Sequence, residues 1–121
     1  MARLLVVDDE SNIRLLYSQD LAEEGHEVVT AASVAEAVEK LSDGDYDLVI
    51  LDIKLKNECG LDLLQKIVKE RHDMPVILST AFSCYKDDFS AWLADGYVVK
   101  SSDPQELKDE INRVLAKKRK R

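Results

Sequence analysis

Five short apolar runs rich in β-branched residues recur along the chain, and everything between them repeats with a helical period. They are RLLVV (Arg3 to Val7), EVVTA (Glu27 to Ala31), DLVIL (Asp47 to Leu51), PVILST (Pro75 to Thr80) and GYVVK (Gly96 to Lys100). Runs this short and continuously apolar read as strands buried on both faces, as in a parallel sheet. Ile13, Leu16, Tyr17 and Leu21 mark one face of a first helix from near Ser11 to Gly25, interrupted by Asp20. A second helix opens on Ser33 and Glu36 in capping-box spacing, carries Val34, Ala37, Val38 and Leu41, and stops at Gly44. Leu61, Leu64, Ile67 and Val68 mark a third, and Tyr85, Phe89, Trp92 and Leu93 a fourth. The fifth has Asp103 as cap, Pro104 in the first turn, Glu106 completing a capping box, and a stripe of Leu107, Ile111, Val114 and Leu115.

Strict alternation of strand and helix implies right-handed crossovers and an α/β fold: a five-stranded parallel sheet, doubly wound, (βα)5, with strand order 2-1-3-4-5. Such a sheet binds ligands in the crevice beyond the carboxyl ends of its strands. A length of 121 residues holds one domain of this kind.

Charge narrows the function classes. Lys and Arg number 17 against 24 Asp and Glu, yet Lys117 to Arg121 are all basic, so the body carries only 12 basic residues. A body this acidic should repel nucleic acid and anionic membrane. Cys59 and Cys84 make neither a disulfide framework nor a zinc site, and His26 and His72 read as isolated surface residues. With no apolar run long enough to span a bilayer and no signal-peptide pattern at the start, a cytoplasmic location is expected.

The strand ends carry the chemistry. The first run ends in Asp8 and Asp9, the third in Asp52, the fourth in Thr80 and the fifth in Lys100, all on one sheet edge. Each alone has a plainer explanation as a helix cap, a turn residue or a solvated lysine. Together they place three carboxylates, a hydroxyl and an ammonium in the crevice. Carboxylates a few ångströms apart raise one another's pKa unless a cation neutralises them, and one lysine cannot balance three. An all-oxygen site with few protein ligands suits Mg²⁺, which commonly shares its remaining positions with phosphate. A free carboxylate oxygen could then attack phosphorus and form an acyl phosphate on aspartate.

With DD, LDIKL, STA and GYVVK at these spacings, the sequence resembles the receiver domain of two-component response regulators, whose sheet has the flavodoxin-like order, over nearly its whole length. The resemblance implies Asp52 as phosphoacceptor, Asp9 as a direct Mg²⁺ ligand, Asp8 acting mainly through water, and the Lys54 carbonyl as a further ligand. It implies that Thr80 and Lys100 bind phosphoryl oxygens and that Tyr97 changes rotamer as Thr80 moves. The implied donor is a sensor histidine kinase or histidine phosphotransferase. The implied output is a downstream protein binding the surface of the fourth helix, fifth strand and fifth helix. Residues 1–116 would form the receiver and 117–121 a basic tail, favoured by the negative end of the last helix dipole.

Departures from that pattern carry expectations of their own. Ser101 stands where the family usually has a proline joined by a cis bond, and a cis bond here would cost roughly 2.5 to 4 kcal/mol, so a trans Lys100–Ser101 peptide is expected. Lys56 replaces another common proline and leaves its loop more backbone freedom. Phe82 is expected to shield the phosphoryl group from water. The alternative function is a receiver-like adaptor that binds partners without phosphorylation. A phosphoaspartyl hydrolase lacks a second acid at Lys54, and a nucleotide or flavin module is electrostatically at odds with Asp8-Asp9-Glu10.

Overall fold

Side chains that alternate between two buried faces build two cores, one on each side of a five-stranded sheet. The computed structural model describes residues 2–55, 58–71, 73–80, 93–100 and 104–119. In chain order these form β1 (Arg3–Val7), α1 (Ser11–Glu23), β2 (Glu27–Ala31), α2 (Val34–Asp43), β3 (Leu48–Leu51), β4 (Lys54–Leu55), β5 (Glu58–Cys59), α3 (Gly60–Glu70), β6 (Val76–Thr80), β7 (Gly96–Val99) and α4 (Gln105–Arg119). The five longer strands are parallel in the order β2-β1-β3-β6-β7, which is the expected 2-1-3-4-5 arrangement. The short pair β4 and β5 is an antiparallel addition that no alternating pattern announced.

Because side chains alternate across a strand, Leu4, Val6, Leu48, Ile50, Ile77 and Val98 face one side. There they meet Tyr17 and Leu21 of α1 and Leu107, Ile111, Val114 and Leu115 of α4. Leu5, Val7, Val49, Leu51, Val76 and Leu78 face the other side, against Ala37 and Leu41 of α2 and Leu61, Leu64 and Ile67 of α3. Ser33 caps α2, its hydroxyl accepting from Glu36 N at 3.2 Å, but the Glu36 carboxylate reaches back to Ala32 N and not to the cap residue itself. Gly25 closes α1 at φ 89°, a left-handed conformation that suits glycine.

Four expectations change. Leu16 is 38% exposed, because the sheet covers only the row Ile13, Tyr17 and Leu21 at spacings of four, and Leu16 lies off its edge. Leu93 is 45% exposed, and Ala94 takes the place against the core at the approach to β7. His26 is half-buried, its Nδ1 accepting from Ala2 N at 3.2 Å. Helix α4 runs through Arg119, so residues 117–119, expected as a tail beyond the last helix, continue it. The fourth helix expected through Tyr85, Phe89 and Trp92, the Asp103 cap and the Lys100–Ser101 peptide lie outside the described residues, as do Cys84, His72, Lys56 and Phe82.

Candidate functional site

Parallel strands end together, so the residues that follow β1, β3 and β7 meet at one edge. Asp8 is 2% exposed and Asp52 4% exposed, and both lie within reach of one cation. Lys100 Nζ sits 2.6 Å from Asp8 Oδ2 and 3.1 Å from Asp52 Oδ2, with Glu10 Oε1 at 3.8 Å. Asp8 Oδ1 accepts from Glu10 N at 2.9 Å, and Asp52 Oδ1 accepts from Lys54 N at 3.3 Å. Arg14, one turn into α1, donates from Nη1 to the Asp8 carbonyl at 2.7 Å and holds the acidic loop against the helix.

Electrostatics follow from burial and the shortage of positive charge. Desolvation and the charge of Asp8 together push the Asp52 carboxyl up to about 6, against the opposing pull of Lys100. Burial works against the charge of Lys100, but its bonds to Asp8 and Asp52 and their charges outweigh that and raise its pKa. The ammonium is therefore held between two carboxylates, one of which resists ionisation.

Carboxylate oxygens of Asp8, Asp9 and Glu10 lie within 4.8 Å of one another, a spacing that fits a cation. Asp8 and Asp9 were expected there. Glu10 was not assigned, and Asp52 stands outside this cluster, joined to it through Lys100. An all-carboxylate donor set suits a hard, oxygen-seeking ion such as Mg²⁺.

Thr80 is fully buried at the end of β6, and its carbonyl accepts from Lys100 N at 2.6 Å. The pairing of Leu78 with Tyr97 and of Thr80 with Val99 puts Thr80 and Tyr97 on the same face of adjacent strands as diagonal neighbours. Tyr97 is half-buried, packs against the core under α2 and α3, and its backbone N donates to Glu110 Oε2 at 3.3 Å. The structure thus brings Asp8, Asp9, Asp52, Thr80 and Lys100 to one edge with Tyr97 one step behind. Gly60 was missed: a Cβ there would stand 2.0 Å from the Asp52 carbonyl oxygen, so only glycine lets the start of α3 close on the backbone of Asp52.

Comparison with known proteins gives the family. The chain matches the response regulator receiver domain family over residues 4–112 and belongs to it. It is similar to the response regulator TrrA of Thermotoga maritima, solved in complex with Mg²⁺ and BeF, at 48% identity and a TM-score of 0.91, covering 94% of this chain and 99% of that one. TrrA has also been solved in complex with the histidine kinase ThkA; the matching chain there is 49% identical, with a TM-score of 0.89, covering 95% of this chain and 99% of that one. The response regulator SaeR of Staphylococcus aureus is 35% identical over 122 residues, covering 99% of this chain and 53% of SaeR. The chain therefore spans about half the length of the curated relatives it matches. Among the described residues no helix is long and apolar enough to cross a membrane.

Proposed function

We propose that this receiver domain accepts a phosphoryl group from a phosphohistidine onto Asp52 and signals by changing the surface around β7 and α4. The observation that carries this is the single ammonium of Lys100 shared by two buried carboxylates beside Thr80. Asp8 and Asp9 would hold Mg²⁺, with Asp52 and the Lys54 carbonyl turned toward it and Glu10 close by. When bound, the ion supplies the positive charge that two acids and an incoming phosphoryl group require.

The protein's own residues account for the transfer. An Asp52 oxygen attacks phosphorus, the bond from phosphorus to the donor's imidazole nitrogen breaks, and the ring, protonated on its other nitrogen, keeps the electron pair and leaves as neutral imidazole. Lys100 shifts its donation from Asp52 Oδ2 to a phosphoryl oxygen, and the Thr80 hydroxyl donates to another. Movement of Thr80 vacates space on the face it shares with Tyr97, and rotation of that ring alters what a partner protein meets along β7 and α4. A histidine kinase or histidine phosphotransferase in the cytoplasm is the donor on this reading, and turnover of outside substrates is not expected.

The test is incubation with acetyl phosphate and Mg²⁺ followed by intact mass of wild type and Asp52→Ala. Wild type alone should gain one phosphoryl unit. No gain with any donor would overturn the reading and leave a phosphorylation-independent adaptor.

A further inference from the structure

Ser79 follows the apolar stretch Val76 to Leu78 of β6, and its position is informative. Val6, Ile50, Ile77 and Gly96 form one cross-strand row on the side covered by α1 and α4. Two residues further along each strand, the same side carries Asp8, Asp52, Ser79 and Val98. Ser79 is 1% exposed and stands between the strand of Asp52 and the strand that leads to Lys100.

Tyr17 reaches this row from α1. It is 4% exposed, and its hydroxyl lies 3.0 Å from Ser79 Oγ in a buried hydrogen bond. Phenylalanine and alanine would fill most of the same volume without hydroxyls to desolvate, so the pair is an unneeded demand on packing alone. The phenol also feels the neighbouring pocket: burial raises its pKa, and the charges of Lys100, Asp8 and Asp52 all act on it. It remains a neutral phenol, hydrogen-bonded to the Ser79 hydroxyl. Helix α1 begins at Ser11, directly after the acidic loop that Arg14 ties to it, while β6 ends in Thr80. The Tyr17–Ser79 bond is thus a direct polar link between the element that follows Asp8, Asp9 and Glu10 and the strand that presents Thr80.

We infer that Tyr17 and Ser79 are positioning residues for phosphoryl gain at Asp52, fixing the acidic loop and the Thr80 hydroxyl at one height around the reacting carboxylate. The inference rests on the reading of Asp52 as phosphoacceptor. With acetyl phosphate as donor, an Asp52 oxygen forms the new bond to phosphorus and acetate leaves with the electron pair of the broken one; neither Tyr17 nor Ser79 exchanges a proton in that step.

The experiment follows the rate of phosphoryl gain by intact mass in the full chain at several Mg²⁺ concentrations for wild type, Tyr17→Phe, Ser79→Ala, the double variant and Ser79→Thr. Each single variant should slow the rate at saturating Mg²⁺ about fivefold, as expected for the loss of one orienting hydrogen bond. The Mg²⁺ concentration for half-maximal rate should move less than about twofold, because the ligands themselves are untouched. The double variant should be no slower than either single one, and Ser79→Thr, which keeps the hydroxyl, should regain the wild-type rate. Wild-type rates in Tyr17→Phe and Ser79→Ala would overturn the inference, including when the urea midpoint falls, since that is what a merely structural bond would give. A wild type that gains no phosphoryl group would instead refute the phosphoacceptor reading, and this inference with it.

Discussion

The two ends of the same parallel sheet treat charge in opposite ways. At the amino edge, Arg3 lies 3.7 Å from Glu27, with side chains 38% and 69% exposed, and its guanidinium stacks 4.7 Å from the centre of the Tyr46 ring. Asp47 at that edge uses Oδ2 to accept from Arg3 N at 2.8 Å. There the paired side chains are largely exposed, although Arg3 Nε itself is buried without a hydrogen bond. At the carboxyl edge, Asp8 and Asp52 are buried and share one ammonium, with Asp9 and Glu10 adding more negative charge at the rim. One edge leaves its ion pair near the surface, and the other holds a buried excess of negative charge that a cation would relieve.

Removing the shared ammonium should give the largest effect. Lys100→Met leaves two buried carboxylates without a partner, and in metal-free buffer at pH 7.5 it should cost about 3–5 kcal/mol in urea unfolding. The pKa of Lys100 is raised, so its ammonium is charged throughout the neutral range. The loss should shrink as pH falls below about 6, where Asp52 takes up a proton. A pH-independent loss would mean that Lys100 acts by packing and that the carboxyl edge is not charge-imbalanced.

Asp52→Asn tests the same imbalance from the acid side, with the opposite sign. The native carboxyl is raised from 3.8 to about 6, so between these values the folded state binds its proton more tightly than the unfolded chain, and stability falls as pH rises through the window. The asparagine variant should therefore be more stable than wild type at pH 7.5 without metal, by about 3 kcal/mol at most, with the advantage gone near pH 4. Equal stability at pH 7.5 would show that Lys100 fully neutralises the pair.

Glycines at the two edges sharpen the contrast. At Gly44 an added Cβ would meet only the far end of the Arg3 side chain, at 2.8 Å, on an extended backbone, and Gly44→Ala should be nearly neutral. At Gly60 the obstacle is the Asp52 main chain itself, 2.0 Å away. Gly60→Ala should cost about 1–3 kcal/mol and slow phosphoryl gain, because the phosphoacceptor's backbone must shift to make room. The check is urea unfolding of both variants side by side; equal losses would erase the difference between the edges.

Most of the architecture was legible because burial on both faces leaves continuous apolar strands, and the strand order follows from their alternation with helices. Asp8, Asp9, Asp52, Thr80 and Lys100 were legible for the same reason: each ends a run whose end the sheet aligns. What failed was finer. Leu16 read as core because spacing alone does not say how much of a helix face the sheet covers. Gly60 carries no signal without knowing that α3 starts against Asp52. Ser79 could have been found by counting in twos from Ile77, which places it in the row of Asp52, but Tyr17 reads as one more apolar ring until its hydroxyl partner is seen. The β4–β5 pair depends on two short pairings after Asp52 that no periodicity encodes.

The smallest effect belongs to the amino edge and is the sharpest check on the contrast. A double-mutant cycle on Arg3 and Glu27 should give a coupling below about 0.5 kcal/mol, because the side chains are 38% and 69% exposed and the 3.7 Å gap is long for an ion pair. Arg3→Ala itself should cost less than about 1 kcal/mol, mainly through the Tyr46 ring face, and raising salt should change it little. If the coupling instead approached the cost of Lys100→Met, exposure would not be what separates the two edges. The carboxyl edge would then be distinguished by residue identity alone, and its buried imbalance would lose its force as a sign of function.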